Sequence, residues 1–487
     1  MSAYHKLSDA AATQIMTEGG DARIVLDPST GLNRYYSAPR PSEVIAYASS
    51  TANDVSTAAF AHVGAVLGEL GGGLDGGAYA ERLEVMRARI RRAYSLAEDV
   101  AIVFSPSGTD LEYVGLAAVE GRGAEGTHNI LLGADEVGSG CIHSAYGRYF
   151  AEETALGVKV SPGEPVPGFG DTRVEMIDIP VRDPQGRPRP SAEIAERMDS
   201  AIVGARAAGR HVLVHAVHGS KTGLILPSLD HLDALSARHG DAATVLVDAC
   251  QARITADAIA DYLGRGAIVF VTGSKFMGGP PFSGFALVPA ALADPAPRLP
   301  EGLATIFARA EWPAGWPGAE QLPESANPGL LLRLEAAIFE LERFQLLPPE
   351  TVERVVLCFH AAVRSEIIEL TAARRVAPYP PGESEEAETH PIEMRTLSTL
   401  DLTGLGGGAA TFEDATRWHK ALLAHGVRLG QPVKCVKLPD GSWGATLRIA
   451  LSMPHVLARA GLDDAALEAS FRADMRCIRE ALLAVSG

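Results

Sequence analysis

The chain has 487 residues, 43 of them basic and 60 acidic, for a formal charge of −17. This length suits two or three domains, or one large domain with a smaller companion, and 47% hydrophobic against 21% charged residues is the balance of a globular protein with a sizeable core. The acidic surplus, with no basic patch, excludes a nucleic-acid footprint, and no apolar run approaches the roughly 20 residues of a membrane span.

In chain order, residues 1–25 lack a basic stretch followed by an apolar one, so no signal peptide is expected. The five cysteines (Cys141, Cys250, Cys358, Cys435 and Cys477) are scattered, odd in number and free of CxxC spacing. They read as reduced thiols of a cytoplasmic protein, with neither a disulfide frame nor a metal site. The stretch at 29–56, STGLNRYYSAPRPSEVIAYASSTANDVS, interleaves aromatic and cationic residues and reads as a surface arm with a Ser/Thr-rich helix cap. Glycine clusters at 70–77 and 404–408 lack dinucleotide-fingerprint spacing and read as turns.

From about residue 95 to 290, short apolar runs alternate with helical patterns. The runs are DVAIVFSP (99–106), HNILLGAD (128–135), HVLVHAVHG (211–219), AATVLVDA (242–249) and AIVFVTG (267–273). Each is apolar on both parities, as a sheet covered on both faces requires. Helical patterns at 111–121, 228–240 and 256–266 complete an α/β domain with a mostly parallel sheet, whose ligands gather at the strands' carboxyl ends. Residues 311–329, with four prolines, read as a connector. A long helix over 330–344 follows, then a smaller α+β region with strands in 392–402 and 445–452. The acidic, proline-bearing segment 378–389 reads as a surface loop. The expected divisions are an N-terminal arm (1–55), a large α/β domain (56–315) and a small domain with its interdomain helix (316–487).

Three strand ends carry chemistry. Ser107, Gly108, Thr109 and Asp110 stand between an apolar strand and a helix, where free N–H groups and the helix dipole make an anion site, although an ordinary N-cap looks the same. Asp248 ends a second strand, where a carboxylate is costly unless it meets a cation or caps a loop. Thr272, Ser274 and Lys275 follow a third. Jointly, a phosphate cup, a buried carboxylate and a strand-end lysine are what pyridoxal 5′-phosphate (PLP) needs: lysine for the Schiff base, carboxylate for the pyridine nitrogen, helix terminus for the phosphate.

On these elements the chain resembles the fold-type I PLP enzymes, specifically the class V aminotransferase / cysteine desulfurase superfamily, over roughly residues 30–480. VDACQA is similar to the family's D-x-x-Q element and TGSK to its S-x-H-K element, with Ser in place of His. The resemblance implies a large domain with a mostly parallel, seven-stranded-type sheet and a smaller C-terminal α+β domain. It implies Lys275 as the covalent lysine, Asp248 at the pyridine nitrogen, and Gln251 at the phenolic oxygen. Gly108, Thr109, Thr272 and Ser274 would hold phosphate. HAVHGSKTGLILP resembles the N-x-E-T-G-x-x-x-P stretch, which places His218 or Ser220 near the ring, and ATLRIALS resembles the R-x-S strand, which gives Arg448 the substrate carboxylate. Asn33, Arg34, Tyr35 and Ser50 would line the mouth as substrate contacts. Ser325 and Asn327, in ESANPG, would reach a partner subunit's phosphate, which implies a homodimer.

Val137 stands where the family has a ring-stacking His, so either His143 or Tyr146 fills in or the face is open for a bulky substrate or a second reactant. The implied function is a transferase or lyase acting on an amino acid through a Cα carbanion, with transamination, elimination or replacement, and C–C bond formation all open. Two alternatives stand beside it. One is a desulfurase or selenocysteine-lyase-like activity through Cys435, 13 residues before Arg448; the other is a non-catalytic binding module.

Overall fold

A computed structural model describes residues 3–71, 73–138, 140–169, 173–380 and 395–487. Of the acidic segment 378–389, everything from 381 onward lies outside the described residues.

The strands are β1 (Ile45–Tyr47), β2 (Ala101–Ser105), β3 (Thr127–Leu132), β4 (Val174–Ile179), β5 (His211–His218), β6 (Ile225–Leu226), β7 (Ala243–Asp248), β8 (Ile268–Thr272), β9 (Gly284–Val288), β10 (Arg374–Val376), β11 (Leu397–Asp401), β12 (Val427–Leu429) and β13 (Thr446–Ala450). The helices that shape the site are α1 (Ala3–Ile15), α2 (Thr57–Glu69), α3 (Gly76–Tyr94), α4 (Leu111–Val119), α5 (Ser191–Ala207), α6 (Leu229–His239), α7 (Ala256–Gly264), α8 (Pro328–Gln345), α9 (Pro349–Val363), α10 (Phe412–Ala421) and α11 (Asp464–Ser486).

The central sheet runs β2-β9-β8-β7-β5-β3-β4, with the short β6 added against β5. Its pairs are parallel from β4 to β8, and only β9 runs against both its neighbours. The apolar runs alternate between two cores. Val103, Leu246, Phe270 and Ala286 face α4, while Ile102, Val247, Val269 and Leu287 face the layer of α3 and α8. That division explains why the runs are apolar on both parities: each face meets a helix layer. Every residue of α4 is buried. It lies close on the sheet at Gly115, where a Cβ would fall 2.5 Å from Leu246 Cδ1.

The C-terminal region holds an antiparallel β10-β11-β13 sheet, packed with α9, α10 and α11 in the same core as α3 and α8. The N-terminal arm does not stay apart from it. β1 pairs in parallel with β12, and Ala48 bridges to Ala450. The arm thereby carries Ser50 and Thr51 to the carboxyl ends of the central strands, beside β13. No helix among the described residues is long and apolar enough to cross a membrane.

Candidate functional site

One cavity opens where the carboxyl ends of β2, β5, β7 and β8 meet the N-terminal arm and β13. At its base, β2 ends at Ser105 and α4 begins at Leu111. Ser107 Oγ donates to Asp110 Oδ2 (2.5 Å) and accepts from the N–H groups of Thr109 (3.2 Å) and Asp110 (3.3 Å). Asp110, at the cap position, makes no side-chain cap bond to α4, so Ser107 organises this turn. Burial, opposed by the Ser107 hydrogen bond and by Arg23, pushes the Asp110 carboxyl up to about 7. Opposite, Thr272 Oγ1 donates to the Cys250 carbonyl (2.5 Å) and Ser274 Oγ donates to Thr272 Oγ1 (3.4 Å). Gly108 sits against this pair: a Cβ there would lie 2.9 Å from Thr272 Cγ2. A helix entrance facing hydroxyls across a side-chain-free glycine is a cradle that fits a phosphate.

Asp248 ends β7, in register with Val217 of β5 and Phe270 of β8. Its Oδ1 accepts from the Cys250 N–H (2.8 Å). Beyond β8, the loop bearing Lys275 is pinned on two sides: Asn53 Nδ2 donates to the carbonyls of Ser274 and Lys275, and the Phe276 N–H donates to the Gln251 carbonyl. The half-buried Lys275 side chain lines the same cavity as Asp248, and among the described residues its amine has no hydrogen-bond or ion-pair partner. Gln251 Nε2 donates to the Ser50 carbonyl (3.3 Å), while its Oε1 accepts from Arg253 (2.7 Å).

Arg448 projects from β13 into the far side of the cavity. Nε donates to the Gln431 carbonyl (2.9 Å), Nη1 to the carbonyls of Ser50 (3.2 Å) and Lys221 (3.1 Å), and Nη2 to Thr51 Oγ1 (3.0 Å). All of these acceptors are neutral. Burial lowers the guanidinium to about 10, with the charge of Glu136 pulling the other way, so it stays charged at physiological pH, and among the described residues it has no ion-pair partner. A substrate carboxylate would supply one.

Gly108, Thr109, Ser220, Asp248, Gln251, Thr272, Ser274, Lys275, Arg448, Tyr35 and Ser50 therefore line one cavity. His218 does not. Alternation along β5 turns Val217 toward the cavity and His218 to the opposite face, where Nδ1 meets the Tyr262 hydroxyl (3.1 Å). Asn33 is spent on its own loop, its Oδ1 accepting from the Tyr35 N–H, the Ser37 N–H and the Ser37 hydroxyl. Arg34 is exposed. Asn327 is committed to starting α8: Oδ1 accepts from the Leu330 N–H (2.9 Å) and Nδ2 donates to the Gly19 carbonyl (3.0 Å). Ser325 also lies outside the cavity of its own chain. Cys435 is buried away from it, and burial pushes its thiol up to about 12, the reverse of what a nucleophilic thiolate needs. Val137 lines the cavity, whereas His143 and Tyr146 do not.

Several lining residues carried no sequence signal. Arg23 arrives from the N-terminal segment, chelated by Asp21 and stacked over Phe150 and Phe282. Cys141 lines the cavity, as does Glu136, which is bonded to Arg182 (2.6 Å). Lys221 sits inside the HGSKTG stretch, where only its neighbours His218 and Ser220 drew notice.

No protein-family model and no curated protein matches the chain. Solved structures do. A NifS-like protein superposes with a TM-score of 0.55 at 11% identity, covering 89% of this chain and 99% of that one. The cysteine desulfurase CsdA from Escherichia coli gives 0.54 at 14% identity, over 90% of this chain and 95% of that one. A C-DES variant with glycine covalently linked to its PLP cofactor gives 0.55 at 14% identity, over 89% and 96%. At such identities the likeness is one of architecture, and the conclusion it carries is that this chain has the fold-type I architecture of those proteins.

Proposed function

We propose that this chain is a PLP-dependent enzyme of transferase or lyase type that processes an amino acid, working as a cytoplasmic homodimer. The observation that carries the reading is the convergence in one cavity of an amine (Lys275) and a guanidinium (Arg448) that make no ion pair among the described residues, a carboxylate that accepts from the Cys250 N–H (Asp248), and a glycine-floored helix entrance facing hydroxyls. When bound, the coenzyme would supply an electron sink for a carbanion at the substrate's Cα.

Each residue then has a task. Lys275 would hold the coenzyme covalently through Nζ and, once displaced by the substrate amine, take the Cα proton as general base. Asp248 would keep the pyridine nitrogen protonated through the carboxylate oxygen that Cys250 leaves free. Gly108, Thr109, Thr272 and Ser274 would hold the phosphate, and Ser220 and Gln251 would lie beside the ring. Arg448 would fix the substrate's α-carboxylate, with Tyr35 and Ser50 nearby. Up to proton removal these residues serve transamination, elimination or replacement, and C–C bond formation alike. The five unpaired thiols suit a reducing compartment.

The test is spectroscopic. Purified protein mixed with PLP should gain a visible absorption band that borohydride traps as a covalent adduct on the peptide carrying Lys275, and amino acids should shift that band. Lys275→Ala should bind PLP without being trapped. Protein that stays colourless and untrapped would overturn the reading.

A further inference from the structure

We propose that Lys221 is a second anion-binding cation of this cavity and that the amino-acid substrate carries an acidic group on its side chain, a carboxylate or phosphate, which Lys221 recognises. This rests on the function proposed above and narrows its substrate class.

The charges lining the cavity do not balance within the protein. Four cationic residues line it: Arg23, Lys221, Lys275 and Arg448. Arg23 is neutralised by Asp21, with Nη2 to Oδ2 at 2.6 Å. Lys275 and Asp248 are both assigned above to the coenzyme, the amine to its covalent link and the carboxylate to its ring nitrogen. The remaining carboxylate, Glu136, is already saturated. Its Oε1 accepts from Arg182 (2.6 Å) and Thr222 Oγ1 (3.1 Å), and its Oε2 from Ser220 Oγ (2.8 Å), the Thr222 N–H (3.0 Å) and Thr222 Oγ1 (3.0 Å). Arg448 and Lys221 are left.

Lys221 Nζ donates to the main-chain carbonyl of Asp135 (3.0 Å) and makes no ion pair with a carboxylate among the described residues. Its backbone lies against Arg448, whose Nη1 donates to the Lys221 carbonyl. Burial, and then the positive charge of Arg448, hold the Lys221 ammonium below its ordinary value, with Glu136 pulling the other way. Two neighbouring cations whose hydrogen-bond acceptors among the described residues are all neutral favour the binding of two anions. An α-carboxylate answers Arg448. The phosphate of the coenzyme belongs to the cradle at Gly108 and Thr272, on the α4 side of the cavity. The anion for Lys221 is therefore the substrate's second acidic group.

Holoprotein titrated with aspartate, glutamate and O-phosphoserine should show spectral half-saturation at concentrations at least about tenfold below those for alanine, serine and methionine. Lys221→Met should remove that preference while leaving PLP retention and the response to alanine unchanged, and Lys221→Arg should keep it. Equal responses to acidic and neutral amino acids would overturn the assignment and leave the wider reading intact. So would a Lys221→Met variant that loses affinity for all of them alike, which makes Lys221 part of the α-carboxylate clamp. A protein that takes up PLP but responds to no amino acid overturns both.

Discussion

Gly108 tests the cradle most directly. A Cβ there would fall 2.9 Å from Thr272 Cγ2 and 3.4 Å from Cys250 Sγ, and Thr272 cannot swing away without losing its bond to the Cys250 carbonyl. Gly108→Ala should therefore push the turn before α4 away from the loop after β8. The expected cost is about 1–3 kcal/mol of stability and roughly tenfold in PLP affinity, which corresponds to about 1.4 kcal/mol, read by urea unfolding and absorbance titration. Gly64→Ala in α2, where a Cβ meets nothing within 4 Å, is the control and should be neutral or stabilising. Asp248 and Thr272 were legible as cavity-lining residues because they end apolar strands, and a polar side chain at a buried strand end is conspicuous in sequence. His218 was misplaced by strand parity alone, being one residue from Val217. Asn327 looked like a ligand because a helix cap uses the same residue types. Arg23 left no trace, since its place depends on a contact made far along the chain.

At the scale of elements, α8 shows what a buried arginine can hold together. Arg333 is one of six polar residues in this helix and is wholly buried. Nε donates to the Phe282 carbonyl (2.6 Å), Nη1 to the carbonyls of Met16 (2.9 Å) and Glu18 (2.6 Å), and Nη2 to that of Gly19 (2.8 Å). It ties the chain after α1 to the loop that presents Phe282 to the cavity, with Phe282 held at a left-handed φ of 74°. Arg333→Met fits the space but strands these carbonyls. It should cost about 3 kcal/mol in urea unfolding and open the N-terminal segment to limited proteolysis. The five apolar runs gave five of the seven strands in the main path of the sheet. The other two hid for physical reasons. β4 is an edge strand whose charged residues Glu175 and Asp178 break its apolar run, and β9 follows a glycine- and proline-rich turn that reads as a loop. The pairing of β1 with β12 joins positions nearly 400 residues apart, and no local pattern records it.

Taken as a whole, the molecule buries ionisable groups of both kinds, and their pH dependences oppose each other. Burial pushes the carboxyls of Asp110 to about 7 and Glu311 to about 8, while it lowers His215 and His455 to about 3 and His211 and His419 to about 4. For the carboxyls the folded state holds more protons than the unfolded chain above about pH 4, so the stability they lend below that is lost as pH rises through 7 and 8. For the histidines the unfolded chain holds more protons below about 6.5, so stability is lost as pH falls from there toward 3–4. From pH 6.5 to 8 the histidines no longer contribute and the carboxyls do, Glu112 among them, which burial and then the charge of Asp248 also hold well above its ordinary value. Asp110 and Glu311 alone should then lower the unfolding free energy by about 2–3 kcal/mol, given about 1.4 kcal/mol per proton per pH unit, and Glu112 adds to that fall. The charge of −17 adds self-repulsion in the same direction at low salt. Glu311→Gln isolates the buried-carboxyl contribution. Its amide can still accept from the Ala308 N–H and donate to the Tyr79 hydroxyl, the two partners of the native carboxyl (each 3.0 Å). The variant should keep its fold and lose about one proton's worth of the alkaline slope in urea titrations at fixed pH. An unchanged slope would place the ionisation elsewhere.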